Sequence, residues 1–229
     1  MNSTRIADLL QPFLDRELTA LQLEQVSTYI DLLLRWNARI NLTAIRNPEE
    51  IVTRHFGESF FMARHLFPSP QPMQTTARQG HAGSAQRSPR ADNIRVIDLG
   101  SGAGFPALPL KIWDPQLHLT LIESNNKKAT FLREVARTLA FTNVDVISSR
   151  AEVLAADPDF PRADVVTFRA VEKFDQILLV ASSLLSPHGR LALLLGATQL
   201  PKLQSLPFLT WQTSSVPQSQ SRLLSIGKR

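Results

Sequence analysis

The sequence predicts an α/β protein in which a doubly wound parallel sheet follows a helical N-terminal region. Two observations carry this prediction. From residue 93 onward, short apolar runs alternate with amphipathic stretches, as strands and helices do in a parallel sheet. Before residue 68, apolar residues recur at spacings of three and four, which is typical of helices. The chain has 229 residues, 43% of them hydrophobic and 20% charged, so it is long and apolar enough to bury a core.

The N-terminal region, residues 1–67, is predicted to contain two helices. Apolar residues form a wide stripe between Leu18 and Trp36, which indicates the first helix. The second is expected to begin after Asn47, its N-cap, and to end near Leu66. A proline and two glutamates directly follow this cap, as is typical of a helix start.

Residues 68–92 are predicted to form a flexible connector. Pro, Gly, Ser, Gln and Thr dominate this stretch, and its few apolar side chains cannot offset the entropy of ordering it. A solvated loop is the simplest interpretation, and a contact of its arginines with a phosphate backbone stays open as the alternative.

Residues 93–229 form the predicted sheet domain. Its predicted strands are residues 94–99, 118–122, 144–148, 163–168, 189–195 and about 222–226. Its predicted helices are residues 108–113, residues 127–140 and one that follows residue 168 and ends at 185.

The turn after the first strand is the strongest chemical signal. Gly100, Gly102 and Gly104 allow the backbone to turn tightly and to approach a ligand closely. Such a turn lies at the carboxyl edge of the sheet, where ligands of open α/β sheets bind. Glu123 ends the next strand, and its carboxylate can accept hydrogen bonds from ribose hydroxyls. Together these residues predict an adenosine-containing cofactor.

The residues around the turn favour S-adenosyl-L-methionine over a dinucleotide. A dinucleotide fingerprint has a third glycine where the helix begins, but Phe105 and Pro106 occupy that stretch. Asp98, just before the first glycine, suits a ligand with a cationic amine, which S-adenosyl-L-methionine has. A dinucleotide and a glycine-rich turn without any ligand remain the alternatives.

Composition excludes several other chemistries. The absence of cysteine excludes disulfides, thiolate metal sites and a cysteine nucleophile, and the five histidines do not cluster as metal ligands, so no metal is expected. No stretch approaches the roughly 18 apolar residues of a membrane helix, and the first residues lack the pattern of a secretory signal. We expect a soluble, cytoplasmic monomer without a membrane partner. Its net charge of +5 is compatible with a polyanionic partner.

Six segments together resemble the RsmG/GidB family of bacterial methyltransferases that act on 16S ribosomal RNA. They are residues 36–45, 54–59, 98–106, 123–135, 150–152 and 169–171. The glycine-rich turn alone indicates only a superfamily, whereas the Trp-Asn-x-x-x-Asn-Leu-Thr and Arg-Ala-Val blocks are specific. Glu58 departs mildly from the pattern because the family usually has Asp there.

The resemblance implies a Rossmann-like class I S-adenosyl-L-methionine-dependent methyltransferase fold and transfer of a methyl group to N7 of a guanine. It implies that Gly100 and Phe105 contact the cofactor, that Ala151 and Glu152 flank its adenine, and that Arg169 lies at the pocket as the catalytic candidate. The partner would be 16S ribosomal RNA or the small ribosomal subunit. A nicotinamide-dependent oxidoreductase and a non-catalytic RNA-binding assembly factor are the alternatives.

Four basic residues are candidates for RNA contact. Arg169 follows a strand, and a guanidinium there could bind guanine or a phosphate, or instead form an ion pair with Glu152 or Asp98. Lys127, Lys128 and Arg133 lie in the first turns of a predicted helix and are expected to meet RNA phosphates. A solvated helix face is the alternative for these three.

Overall fold

The computed structural model describes residues 1–68, 94–169 and 173–229. Apart from residue 68, the predicted flexible connector, residues 68–92, lies outside the described residues. The elements of the first described range are α1 (Ser3–Leu10), a 3₁₀ turn (Gln11–Phe13), α2 (Ala20–Asn37), α3 (Pro48–Ile51), a π-helical segment (Val52–Gly57) and α4 (Glu58–Leu66).

Both predicted N-terminal helices are confirmed, and α1 was not predicted. Helix α2 begins at a capping box in which Thr19 and Gln22 exchange side-chain and main-chain hydrogen bonds. Asn47 caps α3 by accepting hydrogen bonds from two main-chain amides of the next turn. One residue of the predicted apolar stripe, Leu21, is 63% exposed, because the stripe was assigned wider than the face of α2 that packs inward.

The remaining elements form the sheet domain. The strands are β1 (Arg95–Leu99), β2 (His118–Ile122), β3 (Val144–Ile147), β4 (Ala163–Phe168), β5 (Leu185–Gly196), β6 (Thr210–Ser215) and β7 (Arg222–Lys228). The helices are α5 (Ala107–Trp113), α6 (Asn126–Thr138), α7 (Ala151–Ala156) and α8 (Phe174–Ser183), and a 3₁₀ segment spans Ala197–Ser205. Helix α7, the 3₁₀ segment and β6 were not predicted, because they are short or mostly polar.

The seven strands lie in the order β3-β2-β1-β4-β5-β7-β6. Strands β1 to β5 are parallel, whereas β7 runs antiparallel to both β5 and β6. The predicted parallel sheet is confirmed over β1 to β5, and one edge is antiparallel because the connection between β6 and β7 is too short for a helical crossover. The order changes direction between β1 and β4, and this switch point is where open α/β sheets bind ligands.

Successive side chains of each strand point to opposite faces of the sheet and pack into two hydrophobic layers. Val96 packs into the cluster that contains the N-terminal helices, α5 and α6, whereas Ile97 and Leu99 pack into the cluster of α7 and α8. The N-terminal helices thus share one core with the sheet. Asp98 alternates with Ile97 and Leu99, so its carboxylate points toward the N-terminal helices.

Candidate active site

The glycine-rich turn is tied to the neighbouring strand by main-chain hydrogen bonds. The amides of Gly100 and Ser101 donate to the oxygen of Ile122 at 2.8 and 3.1 Å. The amide of Gly102 donates to Oε2 of Glu123 at 2.8 Å. The end of β2 therefore fixes the loop that follows β1.

Gly104 is where the loop needs a glycine most. Its φ is +85°, and a Cβ atom there would lie 2.6 Å from Cδ1 of Leu108 and even closer to the hydroxyl of Tyr29. That hydroxyl donates a hydrogen bond to the oxygen of Ala103, which brings α2 against the turn. The absence of a side chain at Gly104 thus allows α2 and α5 to meet at the loop.

Glu123 is buried and held in one orientation. Oε2 accepts from the amide of Gly102, and Oε1 accepts from the amide of Asn125, each at 2.8 Å. A carboxylate has about four lone-pair sites, so capacity for two hydroxyl donors remains. This geometry fits the predicted ribose-binding role of Glu123, which stays a prediction.

A cleft of about 300 Å³ opens beside this carboxylate at the carboxyl edge of the sheet. Its lining residues are Gly100, Ile122, Ser124, Ser149, Arg150, Ala151, Glu152 and Ile177. The structure thus brings Gly100, Ala151 and Glu152 together, although Glu152 lies 52 residues after Gly100 in the chain. Unpredicted helix α7 supplies Ala151 and Glu152, with its amino end facing the cleft.

Asp98 is a buried carboxylate that lacks a hydrogen-bond partner for either oxygen within residues 1–68, 94–169 and 173–229. Only 1% of the residue is exposed. Burial raises the pKa of Asp98 well above its usual value; the Ser101 hydroxyl, which bonds the main-chain oxygen of Asp98 at 3.0 Å, lowers this pKa by less, and the Glu123 carboxylate raises it further. A buried carboxylate without a donor is costly, and a cationic amine would satisfy it. The site therefore fits the ammonium group of S-adenosyl-L-methionine.

The side chain of Phe105 is occupied by packing. Its ring stacks on Tyr29 at a centroid distance of 5.3 Å and on His55 at 4.6 Å, and 7% of the residue is exposed. Any contact of Phe105 with a cofactor in the cleft therefore falls mainly to its main chain. The stack also connects the glycine-rich turn to the π-helical segment.

Arg169 pairs with a residue, Glu58, that the sequence analysis did not propose as its partner. Its Nη2 lies 3.1 Å from Oε2 of Glu58, so the predicted alternative of an ion pair with Glu152 or Asp98 is wrong. Oε1 of the same carboxylate lies 3.2 Å from Nε of Arg54 and 3.4 Å from Nε of Arg222. The pairing of Glu58 with Arg169 was missed because the two residues lie far apart in sequence. A glutamate between Phe56 and Phe60, in an otherwise apolar turn, was the available signal.

His55 lies between the turn and this arginine cluster. Nε2 is 2.8 Å from the hydroxyl of Thr43, and Nδ1 is buried without a hydrogen-bond partner among the residues described. Burial, followed by the charges of Arg169, Arg54 and Arg222, lowers the pKa of His55 to about 3. The imidazole is therefore neutral at physiological pH.

The predicted RNA-contacting residues of α6 differ in their surroundings. Lys127 is exposed and Lys128 is partly exposed in the first turn of α6, where Asn125 caps their amides. Arg133 instead donates from Nη2 to the oxygen of Val146 at 2.9 Å, which ties α6 to the edge strand β3. Arg133 therefore has a structural contact that the sequence did not reveal.

Within the described ranges, no group of three or more His, Asp or Glu side chains is placed to hold a metal ion. None of the described helices is long and apolar enough to cross a membrane.

Known structures with this fold define the class of protein. The ribosomal protein L11 methylase from Lactobacillus delbrueckii subsp. bulgaricus matches with a TM-score of 0.54 and 15% identity, over 77% of this chain and 79% of its own. A predicted O-methyltransferase from Agrobacterium tumefaciens matches with a TM-score of 0.50 and 17% identity, over 59% of this chain and 73% of its own. The fold is the Rossmann-like class I S-adenosyl-L-methionine-dependent methyltransferase fold, as predicted.

Sequence comparisons then give the family. The family model GidB, described as rRNA small subunit methyltransferase G, matches residues 22–71 and 81–225. Ribosomal RNA small subunit methyltransferase G of Roseiflexus castenholzii is 40% identical over 74% of this chain but only 63% of its own length. The Xanthomonas oryzae pv. oryzae protein of the same name is 36% identical over 96% of this chain and 92% of its own length. This chain belongs to the GidB family, which confirms the resemblance and does not favour the oxidoreductase and assembly-factor alternatives.

Proposed function

We propose that this protein transfers the methyl group of S-adenosyl-L-methionine to N7 of a guanine in 16S ribosomal RNA, as a cytoplasmic monomer. One observation carries the proposal. At the switch point of the sheet, β1 carries the unsatisfied carboxylate of Asp98 and ends at the turn that contributes Gly100 to the cleft, and the neighbouring strand β4 ends at Arg169, which pairs with Glu58. The cleft suits an adenosine-containing cation, and the arginines suit an anionic polynucleotide.

The cofactor would be held by residues of the cleft. Glu123 would accept the ribose hydroxyls, Ala151 and Glu152 would flank the adenine, and Asp98 would receive the ammonium group. Gly100 and Gly102 would let the main chain approach, since both have positive φ. When bound, S-adenosyl-L-methionine supplies an electrophilic methyl carbon on a sulfonium.

The reaction requires no proton transfer to a side chain of the protein. Guanine N7 carries a free lone pair at neutral pH, so it can attack the methyl carbon without a general base. The N7–carbon bond forms as the carbon–sulfur bond breaks, and the bonding electrons leave with sulfur as S-adenosylhomocysteine. Catalysis then depends on holding the three atoms in line. His55, whose pKa is about 3, is correspondingly no proton acceptor at physiological pH.

Arg169 is the proposed catalytic residue. It emerges from β4 at the switch point, 9% of its side chain is exposed, and Glu58 fixes one of its terminal nitrogens. The other, Nη1, is buried and has no hydrogen-bond partner in the part of the chain that the structure describes. A fixed guanidinium with a spare donor can contact the guanine edge or an adjacent oxyanion.

Contacts with more distant RNA phosphates are assigned to Lys127 and Lys128. Both extend into solvent from the start of α6, immediately after the cleft-lining segment that contains Ser124. Cations at the amino end of a helix interact unfavourably with the positive end of its dipole, and a bound anion would offset this repulsion. Arg133 is kept as a weaker candidate because one of its nitrogens is engaged with Val146.

Mass spectrometry of 16S ribosomal RNA from cells that lack the gene tests the proposal. We expect one N7-methylguanosine to disappear, to return with the wild-type gene, and to stay absent with Arg169→Ala. Arg162→Ala is the matched control, because Arg162 lies before β4 at the opposite edge of the sheet and bonds only the oxygen of Phe160 among described residues. An unchanged N7-methylguanosine content after deletion would refute the proposal.

A further inference from the structure

Three arginines from distant parts of the chain converge on one buried carboxylate. Arg54 comes from the π-helical segment, Arg169 follows β4, and Arg222 begins β7. All three lie within 3.4 Å of an oxygen of Glu58, which is 1% exposed. These four residues are called the Glu58 cluster below.

The Glu58 cluster carries more positive than negative charge. Three guanidinium groups share the one charge of Glu58, and among the described residues only Arg54 has a second acid nearby, Glu50 at 3.6 Å with a half-exposed side chain. Like charges held this close repel one another, and burial weakens the screening by water. An excess of cations around one buried carboxylate is best explained by an anion that joins them.

The way in which two of the arginines pair leaves their outer nitrogens available. Arg54 and Arg222 both approach Glu58 through Nε, so this carboxylate does not occupy their terminal nitrogens, and of these only Nη1 of Arg54 lies near another described acid, Glu50 at 3.6 Å. Their side chains are 39% and 30% exposed, which allows a ligand to reach them. Two guanidinium groups anchored in this way can offer a phosphate several charge-assisted hydrogen bonds.

The Glu58 cluster adjoins the place where methyl transfer would occur. All three of its arginines act electrostatically on His55, and His55 stacks on Phe105 of the glycine-rich turn. One aromatic ring therefore separates the arginine cluster from the turn that lines the cofactor cleft. A polynucleotide whose base reached the cleft would carry a phosphate past this cluster.

We propose that Arg54 and Arg222, held by Glu58, form a binding site for one RNA phosphodiester next to the target guanine. This inference rests on the proposed function, since it names how the same site holds its RNA. The ligand chemistry is an oxyanion, and the carboxylate of S-adenosyl-L-methionine is the second possible source. The experiment therefore measures the binding of RNA and of cofactor separately.

The test uses the double variant Arg54→Gln/Arg222→Gln and small ribosomal subunits from cells that lack the gene. We expect the KM for subunits to rise at least ten-fold. The slope of log Kobs against log salt concentration should become shallower by about 0.7 to 0.9, the value of one phosphate contact. The calorimetric Kd for S-adenosylhomocysteine without RNA should stay within two-fold of wild type, and the methylated product should still be N7-methylguanosine.

The matched control is Arg95→Gln/Arg162→Gln, which removes the same charge at the amino edge of the sheet. It should leave the KM and the salt slope unchanged. An equal effect of both double variants would overturn the inference, because it would reflect net charge alone. A weaker Kd for S-adenosylhomocysteine in the Arg54/Arg222 variant would also overturn it by assigning the cluster to the cofactor carboxylate.

Folding and the proposed function are checked in the same series. Thermal unfolding identifies a double variant that fails to fold, and Arg222→Gln alone then takes its place, with an expected rise in KM of at least three-fold. Arg54→Lys/Arg222→Lys should recover most of the salt slope because it keeps the charge. A wild-type enzyme that makes no N7-methylguanosine would refute the proposed function, whereas unchanged KM and slope in the variants would refute only the phosphate site.

Discussion

The hydroxyl of Tyr29 donates a 2.5 Å hydrogen bond to the main-chain oxygen of Ala103, which links the long N-terminal helix α2 to the glycine-rich turn. Tyr29 is fully buried and stacks on Phe105 two residues further along the turn. The N-terminal helices thus support the turn from the side opposite α7 and α8. The pocket loop is shaped by a contact between residues 74 positions apart.

Tyr29→Phe should loosen the turn without removing the ring. The oxygen of Ala103 would lose its donor, so we expect a loss of about 1.5 kcal/mol in the free energy of unfolding. The affinity for S-adenosylhomocysteine should fall several-fold, because the turn would be less well fixed. Urea unfolding and calorimetry measure the two effects. Ile30→Val, which costs a similar amount of stability in the same helix, should leave the affinity unchanged, and an equal loss there would contradict the prediction.

Two glycines of the turn should respond very differently to alanine. Both have positive φ, so each substitution costs about 1 kcal/mol of backbone strain. At Gly102 the nearest atom to a new Cβ is 3.7 Å away, whereas at Gly104 the Cβ would collide with Leu108 and Tyr29. We expect Gly104→Ala to lose about 1 to 3 kcal/mol more than Gly102→Ala, by overpacking. Chemical denaturation of both variants tests this, and equal losses would show that the packing at Gly104 is not the cause.

The sequence predicted those strands and helices whose apolar pattern ends at the same residue as the element itself. Strands β2 and β4 have the predicted bounds, because each is an apolar run that a charged residue follows directly, Glu123 and Arg169 respectively. Helix α7 and strand β6 were missed. The former has only six residues, and the latter is a polar edge strand whose place is set by pairing with β7. Pairing across a sheet is not encoded in local periodicity.

In the candidate site, too, the sequence predicted local features and missed contacts between distant residues. The glycines and Glu123 could be identified from the sequence because a strand, a turn and the next strand lie within 30 residues. Glu58 could not be assigned to Arg169, since 111 residues separate them and only the packing of α4 against the sheet brings them together. A buried acid in an apolar turn indicates a distant cation, but the sequence does not say which one.

His55 should give stability a distinctive dependence on pH. Its pKa is about 3 in the folded protein, lowered by burial and then by the three arginines, against 6.5 for a free histidine. Below pH 6.5 the unfolded chain therefore takes up a proton that the folded protein refuses, so stability falls as pH falls toward 3. The loss is about 2 kcal/mol at pH 5. Above pH 6.5 both states are neutral and His55 contributes no slope.

Urea unfolding between pH 4.5 and 8 measures this dependence. In His55→Gln the slope between pH 6.5 and 4.5 should decrease by close to one proton, whatever the loss of packing does to the absolute stability. His188→Gln, at an exposed position on β5, should keep the wild-type slope. A wild-type slope in His55→Gln would mean that this imidazole titrates normally in the folded protein.

Asp98 should release a proton when the cofactor binds. Burial, with a contribution from Glu123, raises its pKa well above 3.8, so the free protein keeps a proton that the unfolded chain gives up as pH rises. A bound ammonium group would favour the ionised carboxylate, so binding and ionisation are linked. We expect the affinity for S-adenosylhomocysteine to rise with pH from 5 upward, by up to ten-fold per unit, until the pKa of Asp98 in the free protein is passed.

Asp98→Asn separates this linkage from other titrations. The amide cannot ionise, so binding should weaken at least ten-fold and lose its rise with pH, while calorimetry in buffers of different ionisation enthalpy should show no released proton. The variant should also be more stable than wild type at pH 7 without cofactor, because the cost of burying an acid without a donor is removed. Stability falls with rising pH through Asp98 and falls with falling pH through His55, so the two groups are distinguished by sign. Undiminished binding by Asp98→Asn would place the ammonium group of the cofactor elsewhere in the cleft.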